Sequence, residues 1–240
     1  MELLTLEDVR RMSDNGRRGP VVVGRNQALT PGARGWLASH RIEVVYPQGA
    51  GGGGTSAPKY RTLSGGALDE KPEHMTHLKG NILVPKDHPR IAFRGMIDTL
   101  EAETMLVQLA AEGYPGLVAE LEEVLSFVRR FIRCDVLDEP VGEVRLCGYT
   151  AQQLREYSHY PDKHLGQPHF LPSHTDGRAL LAVNKLRTLA RRTELAAYAA
   201  FRDSSGRVER EDIILGLNRL SSLLWIMVIK LKAGQYEHTC

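Results

Sequence analysis

The sequence predicts a mainly α-helical protein, a helical bundle preceded by a small α/β unit and a glycine-rich linker. Three observations carry this. From Ile91 almost to the C-terminus, apolar residues recur every three or four positions, the period of helices with one buried face. The connections between these stretches are short, as between antiparallel neighbours in a bundle. Between Gln48 and Ala67 stand Gly49, Gly51, Gly52, Gly53 and Gly54, followed by Ser and Pro, a composition that cannot bury enough apolar surface to order itself. The expected division is residues 1–47 as the α/β unit, 48–70 as a flexible linker and 71–240 as the bundle.

Charge and composition exclude several classes. A chain of 240 residues can bury a full core, and its formal net charge of +2, without any run of Lys and Arg interleaved with aromatics, argues against nucleic acid as a partner. The N-terminus is charged from Glu2 onward and lacks an apolar signal core. The most apolar run, Ile213 to Ile229, is broken by Asn218, Arg219, Ser221 and Ser222, so no membrane span is expected and a soluble, cytoplasmic protein is. Cys134, Cys147 and Cys240 form no CxxC pair, and the loop histidines His74, His77 and His88 have no accompanying cysteine, so free thiols and no bound metal are expected.

Taken in order, Leu3 to Met12 reads as a short helix and Pro20 to Val23 as a strand. Gly24-Arg25-Asn26 reads as a turn, Thr30-Pro31 as the capped start of a second helix, and Ile42 to Tyr46 as a closing strand. After the linker, Thr76, Lys79 and the backbone at Gly80 offer a hydroxyl, a cation and N–H groups suited to a phosphate chain. Phe93, Ile97, Leu100, Thr104 and Val107 line one helix, stopped by Gly113 and Pro115. Asp98 lies between its core positions and requires a cation if buried. Leu117 to Asp135 forms a second long helix and Leu146 to Tyr157 a shorter one. The stretch from Tyr157 to Asp176 is then a loop in which prolines flank His169 and Phe170 and present the aromatic ring. Thr175 or Asp176 is expected to cap the next helix, which runs to Phe201. On it Arg187, Arg191 and Glu194 share a face beside the apolar seam, an inventory for binding an anion, although an ordinary solvated ion pair has the same spacing. The last helix, Glu209 to Leu231, is apolar nearly all round and should be central or at a subunit interface. Asn218 within it needs a partner for its amide.

The ordered motifs FRGMIDTLEAE, LRTLARRTELAAY and LNRLSSLLWIM resemble the ATP:cob(I)alamin adenosyltransferases of the propanediol-utilisation type. The Thr-His-Leu and Lys-Asp-His-Pro-Arg-Ile stretches are closer to the ethanolamine-utilisation branch. The resemblance spans about Met75 to Leu231. It implies a five-helix bundle assembled as an oligomer, a trimer before a dimer, with ATP bound between subunits, Mg²⁺ on the triphosphate and cobalamin as the corrinoid substrate. It also implies roles: Arg187, Arg191, Glu194 and Asn218 at the nucleotide, Thr76 and Lys79 at the triphosphate, Asp98 in an ion pair with Arg187, and Phe170, with His169 beside it, at the corrin ring. A cobalamin reductase and ethanolamine ammonia-lyase are the implied protein partners, and a bacterial microcompartment is a further implied location. Ser222 stands where the family has Asp, Leu195 where it has Arg, and the cysteine cluster of some ethanolamine-branch members is missing. The rival reading is a non-catalytic module that binds or delivers adenosylcobalamin.

Overall fold

The computed structural model describes residues 2–13, 20–24, 27–40, 42–45 and 58–239, in two compact units, Met1–Ser56 and Ala57–Cys240. In the first unit, strand β1 (Glu2–Leu4) precedes helix α1 (Leu6–Met12), then come β2 (Val21–Val22), β3 (Gln27–Leu29), α2 (Pro31–Ser39) and β4 (Val44–Val45). β1 pairs with β3 and β2 with β4, both in parallel. Thr5 and Asp8 close a reciprocal capping box, which starts α1 at Leu6 and releases Glu2–Leu4 as a strand where the apolar pattern suggested helix. Thr30 caps α2 with Pro31 at its first turn, as read from sequence. Leu4, Val9, Val21, Val23, Leu29, Ala33 and Leu37 form the core of this unit. The expected turn at Arg25-Asn26 and residue 46 of the closing strand lie outside the described residues.

The second unit opens with a four-stranded sheet of order β6-β5-β8-β7, made of β5 (Tyr60–Thr62), β6 (Ala67–Leu68), β7 (Met75–Lys79) and β8 (Ile82–Pro85). β5 and β6 fall within the stretch expected to be linker. Parallel pairing of β5 with β8, antiparallel pairing with β6, and an edge contact of Tyr60 with His77 order them. The glycine run itself lies outside the described residues. Thr76 and Lys79 therefore sit on a strand and not in a loop, and Gly80, at φ +53°, makes the tight turn into β8.

The bundle follows: α3 (Pro89–Ala110), α4 (Pro115–Leu137), the hairpin β9 (Arg145–Leu146) and β10 (Tyr149–Thr150), α5 (Ala151–His159), the single-turn α6 (Pro161–Leu165), α7 (Arg178–Phe201) and α8 (Glu211–Lys232). α7 packs on both α3 and α8, α3 on α4, and α5 on α8, so the five longer helices share one core. Ile213, Leu217, Leu220, Leu223, Leu224 and Ile226 through Ile229 of α8 are buried, each contributing on the order of 1.5–3 kcal/mol, and α8 is the central helix. α8 alone among the described helices is long and apolar enough to cross a membrane, and that composition is what a central bundle helix needs. Gly216 lets it approach Phe127 and Phe131, since an added Cβ would stand 3.0 Å from the Phe131 ring.

The hairpin takes the residues expected to begin α5, because Thr150 and Gln153 form a capping box that starts the helix at Ala151. Neither Thr175 nor Asp176 caps α7. Asp176 closes a box with Ser173 over the 3₁₀ turn His174–Asp176 and pairs with Lys232, while Gly177, at φ +87°, leads into α7.

Candidate active site

A cleft of about 500 Å³ opens between α5, α7, α8 and the loop before α7. Arg187 and Arg191 line it from α7, Asn218, Ser222 and Trp225 from α8, and His169 and Phe170 from the loop. The α8 group shares a face because positions 218, 222 and 225 are four and three apart. One end of the cleft is cationic and the other aromatic.

At the cationic end, Arg187 donates from Nε to Asn184 Oδ1 at 3.0 Å, and its guanidinium lies 5.1 Å from the centre of the Trp225 ring. Burial, and then the neighbouring Arg191, push its pKa down from the ordinary arginine value, so this charge is one that an anion would stabilise. Arg191 is exposed and has no carboxylate or hydrogen-bond partner among the described residues. Glu194 lies on the adjoining apolar groove with Tyr198 and Leu215, and Asn218 is common to groove and cleft. Asn218 donates from Nδ2 to Glu194 Oε1 at 2.9 Å and accepts from Arg219 Nη1 at 2.7 Å, which answers where its amide is satisfied.

At the aromatic end, Trp225 is the centre. His169 and Phe170 both stack on it, with ring centroids 5.9 and 5.7 Å away, and Phe170 is only half-buried. Lys232 lies 5.3 Å over the Phe170 ring while paired with Asp176, which ties the loop to the end of α8. Leu171, beside Phe170, is 93% exposed, so this rim presents bare apolar surface.

The structure therefore brings together Arg187, Arg191, Asn218, His169 and Phe170, with Glu194 next to them. It does not bring in the other three expected residues. Asp98 is exposed and makes no ion pair with Arg187 within the chain: it lies one residue past buried Ile97, rotated away from the core of α3. Thr76 and Lys79 do not line the cleft. Lys79 pairs with Asp138 at the end of α4. Arg90 lies 3.8 Å from that carboxylate and stacks over Phe201, so Lys79 belongs near the C-terminal end of α7. Arg191 is ten positions before Phe201, about 15 Å along the helix.

Residues 67–231 match the family model for cobalamin adenosyltransferases. The chain belongs to the cobalamin adenosyltransferase family. It is thus a transferase, and its relatives agree. It is 33% identical to the corrinoid adenosyltransferase EutT of Salmonella typhimurium over 221 residues, covering 84% of this chain and 81% of that protein. It is 35% identical to EutT of Escherichia coli K12 over 161 residues, spanning 67% of this chain and 59% of the relative. A solved PduO-type ATP:corrinoid adenosyltransferase variant from Lactobacillus reuteri, complexed with cobalamin and ATP, shares the bundle fold at a TM-score of 0.51. It has 21% identity and covers 70% of this chain and 91% of that one. A second variant of the Lactobacillus reuteri protein matches at 0.50 and 20% identity, over 70% of this chain and 93% of that one.

Within this adenosyltransferase, Trp225, Asn184 and Arg219 are the contacts that sequence reading passed over. Trp225 had a signal: it lies seven positions after Asn218, on the same face of the helix.

Proposed function

We propose that this chain transfers the 5′-deoxyadenosyl group of ATP to cob(I)alamin, giving adenosylcobalamin and triphosphate. The observation that carries the proposal is one cleft in which two guanidiniums without a carboxylate partner stand beside a half-buried aromatic ledge, Phe170 on Trp225. A polyanionic leaving group and a broad apolar ring call for those two ends.

In the reaction the cobalt(I) electron pair attacks C5′ of ATP. A cobalt–carbon bond forms as the C5′–O bond breaks, and the bonding pair leaves with the triphosphate. No side-chain base or nucleophile is needed, so the protein's part is alignment and stabilisation of leaving charge. Arg191 and Arg187 take the phosphates, and Asn218 and Glu194, held to each other, take the nucleoside side. Phe170, with His169 fixing the loop, lies under the corrin and excludes water and a lower axial ligand, which eases reduction of cobalt(II) to cobalt(I). Mg²⁺ would be held chiefly by the triphosphate's own oxygens and would neutralise part of the leaving charge beside Arg187 and Arg191.

Thr76 and Lys79 reach the triphosphate from a second copy of the chain, and Asp98 meets Arg187 across the same contact. The separation of Lys79 from the cleft, and the lack of an Asp98–Arg187 pair within one chain, support a site shared between subunits, in a trimer before a dimer. Kinship with EutT supports supply of coenzyme to ethanolamine ammonia-lyase, with a cobalamin reductase as electron donor, in the cytoplasm or a microcompartment.

Anaerobic incubation of the full chain with cob(I)alamin, ATP and Mg²⁺ tests this through the ratio of triphosphate to adenosylcobalamin formed. One-to-one release is expected. Corrinoid binding without triphosphate release would make the chain a delivery module.

A further inference from the structure

Arg94, in the second turn of α3, binds two different things with one side chain. Its Nε donates to Asp135 Oδ2 at 2.6 Å, while Nη1 and Nη2 donate to the main-chain carbonyls of His77 at 3.2 Å and Leu78 at 2.7 Å. Those carbonyls belong to an irregularity in β7, where the register against β8 slips between His77 and Lys79. A bulge leaves a residue out of the ladder and re-aims the side chain that follows it. Leu78 is the residue left out here, His77 still pairs with Leu83 on this edge strand, and Arg94 supplies a donor to the carbonyl of each.

The clamp is itself held. Asp135 on α4 is fully buried and also receives Arg90, from Nε at 2.8 Å and from Nη2 at 2.5 Å. A carboxylate in that position needs two guanidiniums to compensate its lost hydration, and in return it fixes both. Lys79, the first residue beyond the slip, is directed at Asp138, which ends α4 in the left-handed region at φ +54°. Every nitrogen of the Arg94 guanidinium is thus engaged within the chain, one on the Asp135 carboxylate and two on main-chain carbonyls.

We infer that Arg94 is a positioning residue for ATP: by pinning the two bulge carbonyls it sets the direction in which β7 presents Lys79, and with it Thr76, to the triphosphate. The inference rests on the adenosyltransferase reading above. A residue that only stabilised the fold would lower the melting temperature and would act the same whether or not Lys79 was present.

The full chain as wild type, Arg94→Lys, Lys79→Ala and the double variant separates these roles, with affinity for ATP and Mg²⁺ measured by calorimetry beside kcat, KM and melting temperature. Lysine keeps a cation for Asp135 but cannot span both carbonyls as the guanidinium fork does. Arg94→Lys should weaken ATP binding about tenfold with kcat retained, the size expected for losing a pair of hydrogen bonds, and should add nothing further in the Lys79→Ala background. Equal loss in both backgrounds, no loss at all, or wild-type affinity in Lys79→Ala would overturn it. Arg94→Gln, which keeps donors but no charge, gives the same comparison should the lysine variant fold poorly. A wild-type chain that does not bind ATP would overturn the inference together with the reading beneath it.

Discussion

Trp225 donates its indole N–H to Nδ1 of His169 at 3.2 Å. Because indole can only donate, that nitrogen carries no proton. The ring's other nitrogen, Nε2, is the donor to the His159 carbonyl, also at 3.2 Å. One neutral tautomer thus joins the end of α5, the Phe170 loop and α8, and the indole that holds it also carries Arg187 on its ring.

Trp225 should therefore serve the corrinoid more than the nucleotide. Trp225→Phe keeps a ring for Phe170 and Arg187 but loses the bond to His169, and Trp225→Ala loses everything. Steady-state kinetics with varied cob(I)alamin should show a modest rise in corrinoid KM for the first and about tenfold for the second, since the ring pair that supports Phe170 is worth about 0.5–1.5 kcal/mol beyond its buried area. A change confined to the KM for ATP would contradict this.

A site shared between copies makes a distinctive prediction. Lys79→Ala and Arg191→Ala should each be nearly inactive alone, yet mixing the two after subunit exchange should restore activity, because some interfaces then carry an intact Lys79 opposite an intact Arg191. A mixture no more active than its parts would place both residues in one subunit's site.

Much of this site was legible in sequence because helical periodicity is geometry. Arg187, Arg191 and Glu194 had to share a face, and the amide of Asn218 needed a partner, either a ligand or a neighbouring polar stripe; that partner is Glu194 itself. What was not legible depended on contacts distant in sequence or between chains. No spacing rule says that Arg94 will reach the carbonyls of His77 and Leu78, or that Lys79 will turn to Asp138, and no pattern in one chain fixes what Asp98 meets. Short strands were hidden for a local reason: β5, β6 and β1 have two or three residues each, too few for a period, and pairing alone orders them.

The N-terminus of α3 should be sensitive to acid. His88 caps it by accepting the Arg90 N–H at 3.2 Å, which a protonated nitrogen cannot do. Burial, then Arg90 and Arg94, hold its pKa below the ordinary 6.5, against the smaller opposing pull of Asp87 and Asp135. The unfolded chain thus binds the proton more readily than the folded one. The stability this group contributes is present above about pH 6.5 and is lost as pH falls below that toward the lowered folded value. Melting temperatures from pH 8 to 5 should fall more steeply for wild type than for His88→Asn, which caps without titrating. Parallel curves would contradict it.

The most direct test of the central claim is the anaerobic rate of cobalt(I) consumption with ATP and Mg²⁺, followed through loss of cob(I)alamin absorbance and growth of the light-sensitive cobalt–carbon product, for wild type and Arg191→Ala. The expected result is product from the wild type and a rate lower by about 10²–10³ in the variant, the usual cost of removing one group that stabilises leaving charge. Equal rates in the two proteins would show that the unpaired guanidinium of this cleft does not hold the triphosphate, and the proposed site would be wrong.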